Sequence, residues 1–410
     1  MHDIKRTAVS AVKQLLGKFP CVAVIGARQV GKTTFVRQVL PSSPLFDMGK
    51  RADYDRISYD PDFFLAQQKG PIIIDESQIL PELFSSLRIT IDNNRGQNGK
   101  YLITGSSSPE LLKNITESLA GRVAIYELGG FSLEEQWGCD KSRFYDLIHK
   151  GDVGKLEHMK PRFSQKQIMT SCFLGSYPEP FLKFKNDRQG FALWMENYFQ
   201  TYVKRDVRGL FPGLNIVVFQ RFIGMLAASS GQILNYSEYA RSLDVSQPTV
   251  KSYFEIAHGT FIWRIIQSYQ KSLKKRVIKM PKGHMRDTGL LNYLLSMPSV
   301  DALYSYPSVG RIWETFVIEQ IIKGFSSSLI PVKTCYYRTS NKAEVDLVLE
   351  GDFGIIPVEI KMGTSTDRRN LAAIENFIDD YKIKFGIIVN NAEETAWISK
   401  KILQVPALCL

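Results

Sequence analysis

The apolar run CVAVI at residues 21–25 leads directly into GARQVGKT at residues 26–33, and TTFVRQVL then continues with the apolar spacing of a helix. Few features constrain a fold as tightly, because a buried strand, a glycine-rich turn and a helix must follow one another without a spare residue. In that geometry the backbone N–H groups of Gly26, Ala27, Arg28, Gln29, Val30, Gly31 and Lys32 are free to surround a triphosphate at the positive end of the helix. Lys32 reaches the β and γ phosphates. The Thr33 hydroxyl ligates Mg²⁺, and Thr34 follows in the first helical turn. The expected ligands are ATP and Mg²⁺.

A second segment, PIIIDESQ at residues 71–78, ends a buried strand in two carboxylates, where parallel sheets place their ligands. Asp75 belongs to the Mg²⁺ shell in this reading, and Glu76 polarises the attacking water. A third strand, YLIT, runs into GSSS at residues 105–108, which makes Thr104 and Ser106 candidates for contact with the γ-phosphate or the water. Arg122, at the end of LAGR, is a candidate arginine finger, acting in cis or in trans. Strands alternate with helices up to about residue 130, so an α/β domain with a parallel sheet is predicted over 1–131.

Taken in order, GARQVGKTT, DESQ, ITGSSS and LAGR resemble the prokaryotic AAA-type ATPases whose C-terminal half is the domain of unknown function DUF4143. The resemblance continues through YVKRDVRGL, RFIGMLAASSGQILNYSEYA, DTGLL, AEVDLVLE and PVEIK, and so spans most of the chain. It implies an AAA+-like core that uses ATP. Where the family has an aromatic residue before Asp-Thr-Gly-Leu, this chain has Arg286; Asp287 itself reads as a turn or cap residue.

Bulk composition fits this organisation. A chain of 410 residues exceeds one typical core, and its net charge of +11 favours an acidic partner such as nucleic acid. Five cysteines stand singly with no CxxC pair, which argues against a disulfide framework or a zinc site. No apolar run approaches the roughly 18 residues of a membrane span, so a cytoplasmic protein is expected, with a homo-oligomer among its open assembly states.

Residues 132–230 carry long apolar and aromatic residues at helical spacing and read as a helical lid or connector, broken at SYPEP. Over 231–300 a winged helix-turn-helix is predicted. ILNYSEYARSL forms its first helix, capped by Ser237, and QPTVKSYFEIA its second, starting near Ser246. Ser246, Gln247, Thr249 and Lys251 would face a major groove of DNA. The basic hairpin carrying Lys271, Lys274, Lys275, Arg276, Lys279 and Lys282 would touch phosphates. Over 301–410 the order helix, three strands, helix, strand matches the PD-(D/E)xK nuclease-like fold. Asp346 and Glu359, with Glu314 from the helix, are the expected metal ligands, and Lys361 shares a strand face with Glu359 and orients water or stabilises charge developing on the phosphate.

Two functional readings follow. One is an ATPase coupled to nucleic-acid binding or processing. The other is a nucleotide-controlled, STAND-like switch for protein partners, with an inactive nuclease-like fold.

Overall fold

The computed structural model describes residues 4–106, 115, 117–270, 280–339, 343–364 and 368–410. They form two compact units, one of residues 1–131 with 259–261 and one of 132–258 with 262–410.

The first unit is built on five parallel strands: β1 (Cys21–Gly26), β2 (Leu45–Asp47), β3 (Ile72–Asp75), β4 (Tyr101–Ser106) and β5 (Val123–Glu127). Their order is β2-β3-β4-β1-β5. Strands β1 and β3 are buried at every position, as expected for parallel strands covered on both faces. The core joins Ile72, Ile74 and Ile103 to Leu83, Phe84, Leu87 and Ile91 of the helix Glu82–Asn93. β4 lies between the strand that feeds the P-loop and the strand that ends in Asp75, so its tip falls between the two motifs.

Among the described residues the second unit carries nine strands, in the order β13-β14-β12-β11-β10-β9-β7-β8-β6. They are β6 (Gln232–Ile233), β7 (Trp263–Ser268), β8 (Lys282–Met285), β9 (Lys333–Arg338), β10 (Glu344–Gly351), β11 (Gly354–Ile360), β12 (Gly386–Asn390), β13 (Ala396–Trp397) and β14 (Ile402–Pro406). The predicted order of helix Val309–Ser327, β9, β10, β11, helix Arg368–Tyr381 and β12 is present. Leu371, Ile374, Phe377 and Ile378 of the second helix pack on Val345, Val348 and Ile388.

The boundary expected at 300/301 does not interrupt this sheet. β7 pairs in parallel with β9 through Gln267–Cys335 and Ser268–Tyr336, so the β7–β8 hairpin and the C-terminal strands share one ladder. The first helix of the predicted pair is Tyr236–Leu243, and its cap is Asn235, whose side chain accepts from the Glu238 N–H; Ser237 lies inside the first turn. The second helix, Gln247–Gly259, starts where expected, with the Ser246 hydroxyl accepting from the Thr249 N–H at 3.2 Å. Asp287 caps the helix Thr288–Leu294 and also accepts from the Ser176 N–H and hydroxyl, a structural role.

Candidate functional site

The P-loop begins where β1 can carry no side chain. A Cβ on Gly26 would stand 2.2 Å from the Leu128 carbonyl oxygen. The loop then turns through Gln29 at φ +62° and Gly31 at φ +88°, and Gly31 opens the helix Lys32–Val39. Arg6 fixes the loop from behind. Its Nη1 donates to the Val30 carbonyl at 2.9 Å and its Nη2 to the Gly129 carbonyl at 2.7 Å.

Lys32 is buried and folds back onto the loop, donating to the carbonyls of Ala27 at 3.0 Å and Gly26 at 3.2 Å. Burial lowers its pKa, an effect that the charges of Glu76 and Asp75 oppose. The Thr33 hydroxyl donates to Asp75 Oδ2 at 2.6 Å, and the Thr104 hydroxyl donates to Asp75 Oδ1. Hydroxyl and carboxylate oxygens so paired are a hard donor set that fits Mg²⁺.

Glu76 takes a left-handed backbone at φ +53°, and its N–H donates to Thr104 Oγ1 at 3.2 Å. Its carboxylate accepts from the Ser106 hydroxyl at 3.0 Å and from the Gln78 amide. Thr104 and Ser106, two residues apart on one face of β4, thus each hold one of the two acids. Arg28 and Thr34 lie in the same loop and helix start, partly exposed and exposed respectively.

Arg122 does not join this group. It immediately precedes β5, whose first residue pairs with Cys21 at the start of β1, whereas the P-loop follows the end of β1. Five residues of strand put it about 17 Å from the P-loop, at the opposite end of the neighbouring strand. There it makes a two-pronged pair with Asp92, Nε to Oδ1 at 2.8 Å and Nη2 to Oδ2 at 2.8 Å. A role in cis is therefore corrected to a structural one.

In the second unit, the predicted acids gather around two lysines. Lys282 Nζ lies 2.6 Å from Glu314, 2.7 Å from Glu344 and 4.0 Å from Asp346. Lys361 Nζ lies 2.5 Å from Glu359 and 3.8 Å from Asp346. Lys282 is buried, which corrects its placement on an exposed basic hairpin: β8 turns it inward. The other hairpin cations, Lys271, Lys274, Lys275, Arg276 and Lys279, lie outside the described residues.

Asp346 sits where β10 slips register against β9, and its Oδ2 accepts from the Ile360 N–H at 2.8 Å. Burial and the neighbouring Asp346 push Glu314 up to about 7 and Glu359 up to about 8. Lys361, a third exposed, offsets only part of that for Glu359. The Glu359 Oε2 atom has no hydrogen-bond partner. Among the described residues no three acid, histidine or cysteine side chains form a metal-holding group. The Lys282 ammonium supplies the positive charge here, so Glu314, Asp346 and Glu359 as arranged do not fit a metal ion.

Next to this cluster, Glu319 pairs with Arg264 at 2.5 Å and His284 at 2.9 Å, and its pKa stays well below the usual carboxylate range because those cationic and donor groups outweigh burial. At the predicted reading helix, Ser246, Gln247 and Lys251 are exposed and Thr249 is partly so.

Three family models match the chain: an AAA domain over residues 18–137, a domain of unknown function (DUF8612) over 165–301 and a domain of unknown function (DUF4143) over 309–410. Uncharacterized proteins of Mycobacterium tuberculosis and Mycobacterium bovis are each 31% identical over 405 residues, covering 98% of this chain and 83% of theirs. The chain belongs to the family of AAA-domain proteins with a C-terminal DUF4143 domain. Among solved structures, a Walker-type ATPase of Pyrococcus abyssi is similar at TM-score 0.45 and 14% identity, covering 72% of this chain and 96% of that one. A STAND protein with a tetratricopeptide repeat sensor from Pyrococcus horikoshii is similar at TM-score 0.30 and 12% identity, covering 78% and 46%.

In this AAA–DUF4143 protein the P-loop, Asp75, Glu76, Thr104 and Ser106 fall within the AAA domain, and Arg6, which braces the loop, precedes it. The lysine–acid cluster does not respect the family boundaries: Lys282 comes from the DUF8612 segment, while Glu314, Glu344, Asp346, Glu359 and Lys361 come from DUF4143. Arg6, Gln78 and the counter-ion role of Lys282 are absent from the sequence-based expectations. Gln78 had a signal, two residues after Glu76 in DESQ. Arg6 had none, since its partners include a carbonyl 123 residues away.

Proposed function

We propose that the chain is a Mg²⁺-dependent ATPase whose nucleotide state governs nucleic-acid binding by its second unit. The observation that carries the ATPase reading is the meeting of Lys32, Thr33, Asp75 and Glu76 at three adjacent strand ends, with Thr104 and Ser106 between them. Thr33 and Asp75 would hold Mg²⁺, which would supply charge neutralisation for the phosphates. Lys32 leaves its two loop carbonyls for the phosphate oxygens. Glu76, aligned by Ser106 and Gln78, orients the attacking water and takes its proton. Lys32→Ala and Glu76→Gln are each expected to lower the hydrolysis rate by about 100-fold or more. A rate unchanged in Glu76→Gln contradicts the assignment of the base.

The nucleic-acid half of the proposal is supported by the exposed start of helix Gln247–Gly259, with Gln247, Thr249 and Lys251, and by the net charge of +11. Duplex DNA binding at low salt, weakened in Gln247→Ala/Lys251→Ala, is the expected result. Phosphodiester cleavage is not part of the proposal, because Lys282 neutralises the acids that would hold a metal. Mg²⁺-dependent nicking that disappears in both Asp346→Ala and Lys361→Ala would show that reading to be wrong.

A further inference from the structure

A cavity of about 410 Å³ in the second unit is walled by five fixed cations, Lys141, Arg143, Lys155, Lys160 and Arg162, and by no carboxylate. Such a volume lies within the range of small-molecule sites. Lys155 is paired with Asp152 at 2.6 Å, and Arg162 Nη1 lies 3.6 Å from Glu134 and donates to the Leu410 oxygen at 3.1 Å. Among the described residues, Lys141, Arg143 and Lys160 have no carboxylate within ion-pair distance. Asp146 and Glu134 act on Lys141, and Asp152 acts on Arg143, from beyond ion-pair distance, so three positive charges face one cavity with their charge only partly offset. The Arg162 Nη2 atom, in the same wall, is buried and has no hydrogen-bond partner.

The walls are fixed before any ligand arrives. Ser142, between Lys141 and Arg143, donates its hydroxyl to the Cys409 carbonyl at 2.6 Å and accepts from the Phe144 N–H at 3.2 Å. On the other side the Met159 carbonyl accepts from Thr395 at 3.2 Å, the Arg162 N–H donates to the Leu408 carbonyl at 2.8 Å, and Pro161 restricts the backbone between Lys160 and Arg162. Leu147 and Met159 give the cavity an apolar part. Like charges held together on rigid segments, with an unused guanidinium nitrogen, form a preorganised anion site.

We propose that this cavity binds a run of two or three phosphate groups, either a small polyphosphate or consecutive phosphates of a single nucleic-acid strand. The number follows from the three cations that lack a paired acid. A single phosphate leaves at least one of them unmatched.

The test is isothermal titration of the full chain carrying Lys32→Ala, which removes the P-loop contribution, with tripolyphosphate, inorganic phosphate and a single-stranded oligonucleotide as probes at low salt. Tripolyphosphate is expected to bind at one site, more tightly than phosphate. Lys141→Gln/Lys160→Gln should weaken it about 100-fold, roughly tenfold for each charge-assisted hydrogen bond removed. If Lys32→Ala does not fold, the wild-type chain should titrate two tripolyphosphate sites, and the double lysine variant one. Oligonucleotide binding that falls with the double change, without tripolyphosphate binding, supports the proposal and identifies a strand as the source. If neither probe loses affinity in the double variant while its melting temperature is unchanged, the proposal is overturned.

Discussion

Gly26 and Lys282 show how much single positions decide in this molecule. At Gly26 the obstacle to a side chain is backbone, the Leu128 carbonyl, which no rotamer can move aside. Gly26→Ala should cost about 1–3 kcal/mol and weaken ATP binding, read by thermal melting and nucleotide titration. At Lys282 the opposite holds, since removing the side chain leaves Glu314 without its cation and Glu344 with Arg338 alone, at 3.5 Å. Lys282→Met should cost about 3–5 kcal/mol, and adding Glu314→Gln should recover part of it; a loss no smaller in the double variant would contradict the pairing. Glu359 supplies part of the pH dependence, beside Glu314 at about 7. The folded pKa of Glu359, about 8, lies above the unfolded value, so the folded state holds the proton longer and stability falls as pH rises from about 4.5 toward 8. Glu359→Gln removes its share of that slope and leaves the share of Glu314. The variant's melting temperature should exceed that of the wild type at pH 8 and approach it at pH 4.5, and an equal difference at both pH values would exclude the proton.

At the scale of elements, β4 and the β7–β8 hairpin do the positioning. β4 brings Thr104 and Ser106 to Asp75 and Glu76, and β8 carries Lys282 and His284 on one face toward the glutamates of helix Val309–Ser327. The P-loop and DESQ were legible because their chemistry is local: a turn, a strand end and adjacent residues. The placement of β4 between them was not, since crossover connections leave no mark of strand order on the sequence. Lys282 was misread for a similar reason. It ends a basic run that looks solvated, and only the pairing of β8 with β7 turns it inward. Arg122 needed the parallel register of β1 and β5 before its distance from the P-loop could be known. The proposed reading helix, Gln247–Gly259, is the element most open to test. Thr249→Ala/Lys251→Ala should weaken duplex DNA binding by about tenfold or more in a low-salt anisotropy titration while leaving the melting temperature within about 2 °C.

At the scale of the whole molecule, a P-loop ATPase-like unit is joined in one chain to a second unit proposed to bind nucleic acid. The two halves of the proposed function meet in the coupling of nucleotide turnover to that binding. Coupling is tested most directly by steady-state ATP hydrolysis, with and without duplex DNA, in the wild type and in Gln247→Ala/Lys251→Ala. DNA should change the wild-type rate several-fold, and the variant should keep the basal rate but lose the response. Hydrolysis indifferent to DNA at low salt in the wild type, with no binding in the same samples, would contradict it.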